Sequence, residues 1–306
     1  MSTYTRSQSK PDKLLTGYIS VRAPELKHIY HSLQETTSVS EVAKKFGRPS
    51  IKGVERDHIE DTLRFLSAVD LVDSPTGDVT DTVERINDEL FDDLPFEARL
   101  LYNCNQQEGR QSHFAGIYRA LMSAGTRVID SDRDEVRTLL KRETPFEFEW
   151  TDEKINMWVT LCEQLGLISE TDDGILLSPC RALLHDALLV APRQEDETPS
   201  YSESVEDGEF YRALNWVNDN LFTVFQARTG TPLVHPAIAD VLRNMEADGV
   251  LTLSAPGDAR NEVKLPPTDL SKNVRGNRQS VTHFSLDSRP SETAYQYPLD
   301  QVVIHK

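Results

Sequence analysis

Residues 152–179 read DEKINMWVTLCEQLGLISETDDGILLSP, and the fold follows from them. Ile155, Val159, Cys162 and Leu165 recur at helical spacing and predict one apolar stripe. Gly166 stands where a helix ends on a left-handed residue, a backbone that glycine adopts at no steric cost. Leu167 and Ile168 open an extended run. Asp172-Asp173-Gly174 turns it back into Ile175, Leu176 and Leu177, which predicts a tight hairpin. The same order of helix, strand, turn and strand recurs upstream at 57–73 and downstream at 235–253. Equivalent positions (Leu63, Val159, Val241) are unequally spaced, which fits tandem domains rather than a solenoid.

The flanking sequence sorts into matching sets. Leu14 to Val21 reads as an edge strand. Pro24 opens a helix to Gln34, and Thr37 or Ser38 caps a second helix, with Glu41 three residues after Ser38 as in a capping box; that helix stops at Gly47 and Pro49. A third helix runs from about Val54 to Val69, and its wing turns at Pro75 to Asp78. Val83 to Asp93 reads as a short acidic helix. Further helices are expected over 97–107, 113–123 (capped by Ser112), 135–142 (capped by Asp130 or Asp132) and 181–190. Pro192 to Glu206 is polar and acidic, too poor in apolar residues to offset its ordering entropy, and reads as a flexible linker. The C-terminal set has a helix over 208–225 and another over 237–247, with no helix visible between them. The expected organisation is therefore a polar tail over 1–13, domains over 14–93 and 94–191, an acidic linker over 192–206, and a C-terminal domain over 207–306.

The run TSVSEVAKKFGRPS, followed by VERDHIEDTLRFLSAVDLV, resembles winged-helix domains. Its second helix has a small polar cap, an apolar Val-Ala pair and a terminal Gly, and its third alternates charge with apolar positions before an extended DLV. The resemblance covers roughly residues 24–82 and implies a mainly α fold with small β-hairpins, built as tandem winged-helix domains. The 306 residues carry 50 acidic and 33 basic side chains, a net charge of −17, and Arg outnumbers Lys 22 to 11. That pervasive acidity resembles proteins of salt-in haloarchaea, where molar salt screens self-repulsion. An ordinary acidic protein is the alternative. A charge of −17 normally argues against nucleic acid, but counterion release contributes little in molar salt, so the charge neither excludes DNA nor supports it.

No run approaches the roughly 18 apolar residues of a membrane helix, and the N-terminus lacks the apolar core of a signal peptide, so a cytoplasmic location without membrane contact is expected. The three cysteines (104, 162, 180) form no CxxC pair, and no cofactor is expected. Phosphate-cradling, dinucleotide, zinc-protease, deaminase and nucleophile-elbow motifs are absent from the sequence. His28 and His31 share a helix face, but no carboxylate or thiol at ligand spacing completes a metal set. A non-enzymatic role is expected.

Winged helices commonly read DNA by the N-terminal part of the third helix. Arg48, Lys52 and Arg56 cluster before and at the start of the first third helix, with Arg64 further along it. The second offers only Lys154 and Asn156 beside Asp152 and Glu153, and the third offers Arg243 and Asn244. The most basic stretch, 270–289, contains Lys272, Arg275 and Arg278, suited to phosphate. Arg48, Lys52, Arg56, Arg64, Lys272, Arg275 and Arg278 are thus the candidate DNA-binding residues of a DNA-binding or DNA-transaction protein. The competing expectation is an adaptor or scaffold subunit of a multi-protein complex. In general look the chain resembles small subunits encoded in archaeal antiviral-defence or mobile-element clusters.

Overall fold

The computed structural model describes residues 21, 23–33, 36–50, 53–55, 57–74, 81–86, 94–108, 112–130, 132–144, 149–171, 174–227, 230–256, 261–267 and 280–288. Among them lie ten helices and fifteen short strands, a mixed α/β fold with small sheets. The expected N-terminal tail and most of the edge strand, the wing tip at 75–78, and residues 270–279 and 289 of the basic stretch lie outside the described residues, as does the C-terminal tail. No helix of the described residues is long and apolar enough to cross a membrane.

The first unit runs α1 (Ala23–Ser32), β1 (Thr37–Ser38), α2 (Val39–Phe46), β2 (Arg48–Ser50), β3 (Gly53–Glu55), α3 (Asp57–Ala68), β4 (Val72–Asp73) and β5 (Thr82–Arg85). Ile59, Leu63 and Leu66 project from one face of α3 onto Leu26 and Ile29 of α1 and Val42 of α2, all essentially inaccessible to water. Burying each such side chain contributes about 1.5–3 kcal/mol. Two expectations change here. The third helix starts at Asp57, not Val54, because Gly53–Glu55 pairs antiparallel with Arg48–Ser50 as a small hairpin. Residues 83–85, expected as the start of an acidic helix, belong to β5 (Thr82–Arg85), which lies between β1 and β4 with Val83 fully buried. The pairing of β5 overrides local helix propensity. Ser38 occupies the N-cap of α2 without a side-chain cap bond, and Val39 N donates to Asp81 O instead.

The middle unit contains α4 (Phe96–Asn105), α5 (His113–Ser123), β6 (Val128–Ile129), α6 (Arg133–Glu143), α7 (Asp152–Gln164), β7 (Ile168–Thr171), β8 (Gly174–Leu177) and α8 (Arg181–Val190). Asp132 caps α6 by accepting from Asp134 N and Glu135 N, and Thr151 caps α7. Ser112 stands at the N-cap of α5 but makes no cap bond. Gly166 has φ of 72°, as its position after α7 requires. Trp158, on the inner face of α7, donates from Nε1 to Phe114 O at 3.3 Å. Nine of the ten residues of α8 are buried. A helix buried on every side lies between layers, and α8 touches α4, α9 and α10.

The C-terminal unit runs β9 (Val205–Glu209), α9 (Phe210–Asn220), β10 (Phe225–Ala227), β11 (Leu233–Val234), α10 (Pro236–Ala247), β12 (Leu251–Ser254), β13 (Val263–Lys264), β14 (Ser280–Val281) and β15 (His283–Leu286). A hairpin, β10–β11, stands where the first two units have a second helix. The three-stranded sheets share one order: β1-β5-β4, β6-β8-β7 and β9-β15-β12 place the first strand beside the third and the third beside the second. The C-terminal unit departs by placing its first strand before its first helix.

The stretch read as a flexible linker carries a closed hydrogen-bond set. Arg193 donates to Ser202 Oγ, Leu189 O and Ser200 O at 2.8–3.0 Å, and Glu197 Oε2 accepts from Arg193 N and Gln194 N. Ser200 N and Ser202 N return to Val190 O and Leu189 O at the end of α8. Backbone pairing with a helix terminus, not apolar burial, holds this segment.

Candidate functional site

The candidate site grows from the end of α2. In VSEVAKKF, Val39, Val42 and Ala43 are buried, which leaves Lys44 and Lys45 exposed in the last turn. Lys45 Nζ lies 5.3 Å from the centroid of the Phe46 ring. Phe46 O is 3.2 Å from Nε2 of His58, a buried residue in the first turn of α3, which fixes the end of α2 against the next helix. Neither lysine makes an ion pair with another described residue. Cations at a helix C-terminus also complement its dipole, so part of their role is local. The chain then enters the β2–β3 hairpin, in register Arg48↔Glu55 and Ser50↔Gly53.

Of the sequence-derived candidates, Arg48 lies in β2 and only its backbone is described. Lys52, Arg56, Lys272, Arg275 and Arg278 lie outside the described residues. Arg64 sits on α3, and its guanidinium is held by Glu60 at 3.2 Å and Asp61 at 3.4 Å. Lys44 and Lys45 were not singled out from sequence. Their signal was the apolar spacing Val39-Val42-Ala43, which fixes the inner face of the helix and puts the lysines outside.

The solvent side of α3 is otherwise acidic, with Asp57, Glu60 and Asp61. On α7, Asp152 and Glu153 are exposed and Asp152 pairs with Arg137 at 2.7 Å, while α1 packs on this helix from the first unit. Arg243, expected on the outer face of α10, is 1% exposed and its Nη1 lies 3.3 Å from Glu246. It occupies the inner side of the helix with Ala239 and Leu242 because α10 lies against the middle unit.

That seam is polar as well as apolar. Asp240 pairs with Arg127 and Asp248 with Arg181. Ser178 Oγ donates to Ala237 O, and His185 Nε2 is 2.9 Å from Asp287 O. His235 is fully buried and caps α10, its Nδ1 accepting from Ala237 N at 3.2 Å. Burial, and then the nearby Arg127 charge, lower its pKa to about 4; the Gly125 and Thr126 backbone opposes this more weakly. Gly125, at φ of 79°, packs where an added Cβ would lie 2.6 Å from Gln226 Nε2. At the other seam, Lys27 Nζ meets Glu97 at 2.8 Å, and the Tyr30 ring lies 4.8 Å from the Arg85 guanidinium and 5.8 Å from that of Arg99.

The cysteines are all buried. Burial pushes the Cys104 thiol up to about 12 and Cys180 to about 11, and raises Cys162 well above its usual value, so none is poised as a thiolate. Among the described residues no group of three or more His, Cys, Asp or Glu could hold a metal ion. Comparison with protein-family models, curated proteins and solved structures gives no match.

Proposed function

We propose that the chain is built of winged helices and is a non-enzymatic DNA-binding or DNA-transaction protein. The winged-helix reading is supported by the order helix, strand, helix, helix, strand, strand over 113–177 of the middle unit, by the same order in the first unit with the β2–β3 hairpin inserted between its second and third helices, and by the common strand order of the three sheets. The DNA reading is carried by one observation. Residues 44–56, KKFGRPSIKGVER, hold Lys44, Lys45, Arg48, Lys52 and Arg56 against a single acid, Glu55, within a chain of charge −17, and the first two lysines are exposed beside the hairpin. Such a local positive strip is what phosphate recognition needs. Lys272, Arg275 and Arg278 would add phosphate contacts from the C-terminal unit.

Mobility-shift assays of full-length protein, run from molar KCl down through lower salt, test this. Retardation of duplex DNA by the native chain and its loss in an Arg48→Glu/Lys52→Glu/Arg56→Glu variant is the expected result, and undiminished binding by the variant refutes the strip. A second reading, an adaptor subunit of a larger complex, is favoured by the acidic outer faces of α3 and α7, which suit a basic protein partner. Co-purification of a stoichiometric partner from native-salt lysate, together with no DNA binding, would select it. An archaeal defence or mobile-element system belongs to that second reading.

A further inference from the structure

We infer that this protein holds duplex DNA by its phosphates alone, with no base-edge contact from any of its three third helices. The inference rests on the DNA reading above and names the mode of binding at the same site. A recognition helix enters the major groove with its N-terminal residues against the bases, and the two groove rims are phosphates. Each helix that would do so here is unfit for it. On α3 the outward residues are Asp57, Glu60 and Asp61, and the one cation, Arg64, is already gripped by two of them. On α7 the first turn exposes Asp152 and Glu153 ahead of the exposed Asn156, so bringing that amide to a base edge would press both carboxylates toward the phosphates. On α10 Arg243 is buried, and the N-terminal turn lies against the middle unit through Ser178 and the Arg127–Asp240 pair. Carboxylates carried between two rows of phosphate meet like charge on both sides and lose hydration there with no gain to offset it.

Two exposed cations of the described residues sit elsewhere in the first unit. Lys44 and Lys45 end α2, the helix that in helix-turn-helix docking crosses the sugar-phosphate backbone rather than entering the groove. Lysine ammonium groups bind phosphate as point charges and carry no base code. Binding is therefore indifferent to sequence and strongly dependent on salt.

The test uses full-length protein, fluorescence anisotropy, and two duplexes of equal length and base composition with shuffled order, each titrated over a series of salt concentrations. Affinities are expected to agree within about twofold, and selection from a random duplex pool is expected to enrich no motif. A Lys44→Gln/Lys45→Gln variant is expected to weaken both duplexes equally and to make the log-affinity against log-salt slope shallower by about 2, one for each phosphate that is no longer neutralised. A preference of about tenfold for one sequence, or an enriched motif, overturns phosphate-only binding and leaves DNA binding itself intact. An unchanged slope in the variant overturns the assignment to these lysines. Absence of binding to either duplex by the native protein overturns this inference and the DNA reading together.

Discussion

Replacing His235 by asparagine isolates one titration at the seam between the middle and C-terminal units. The His235 ring is inaccessible to water, its Nδ1 accepts the Ala237 N–H, and its Nε2 is buried. Protonation would put hydrogen on both ring nitrogens, remove the acceptor that caps α10, and place a second positive charge near Arg127. Folding accordingly lowers the pKa from 6.5 to about 4. Above pH 6.5 both folded and unfolded chains are neutral at this site, and the stabilisation is complete. As pH falls toward 4 the unfolded chain binds a proton that the folded chain refuses, and stability is lost at about 1.4 kcal/mol per pH unit. Below the folded value both states are protonated and the loss stops. The full window thus holds roughly 3–4 kcal/mol, of which about 2–3 kcal/mol falls above pH 4.5. Asparagine accepts the same N-cap hydrogen bond and does not titrate. Guanidinium unfolding of native protein and His235→Asn at fixed molar KCl, from pH 7 to 4.5, should show the native chain losing about 2–3 kcal/mol more than the variant. The many carboxylates are common to both proteins and cancel in the difference. Superimposable pH profiles would refute the reasoning.

Other perturbations probe the remaining seams. Tyr30→Leu removes the ring flanked by Arg85 and Arg99 and the hydroxyl that accepts from Arg85 Nε at 3.1 Å; it should cost about 2–3 kcal/mol in denaturant unfolding, against about 1 for Tyr30→Phe. Arg64→Ala breaks two part-exposed ion pairs within α3 and should change stability by less than about 0.5 kcal/mol and leave DNA affinity nearly unaltered in anisotropy titrations. The three buried thiols should resist an aromatic disulfide reagent at pH 8 in native protein and all react once guanidinium unfolds the chain.

Elements held by local physics were readable from sequence. The helix at 152–164, its left-handed stop at Gly166 and the hairpin at 168–177 stand where periodicity and turn chemistry put them, and α8 spans its expected residues. Elements held by distant partners were not. VERIN reads as the start of an acidic helix, yet 82–85 is a strand because β1 and β4 lie on either side of it. The VEDGE sequence of β9 has poor strand propensity and forms by pairing with β15. The acidic stretch after α8 has little to bury, so its hydrogen bonds to Leu189 and Val190 gave no apolar signal. At the candidate site, charge type was legible but accessibility was not. Arg64 and Arg243 read as outward-facing cations until the geometry put one between carboxylates and the other inside the protein.

The pairing of β9 with β15 also sets a clock for biosynthesis. Glu209 leaves the ribosome 74 residues before His283, the residue it faces across the sheet. At about 5–20 residues per second, β9 waits roughly 4–15 s with its edge unsatisfied while the first two units have every strand they need. Glu206, Asp207 and Glu209 give that waiting strand negative charge, which discourages pairing with another nascent chain. Synonymous changes that slow translation between residues 210 and 283 should therefore raise misassembly of the C-terminal unit, whereas slowing before residue 200 should leave the yield of folded protein unchanged.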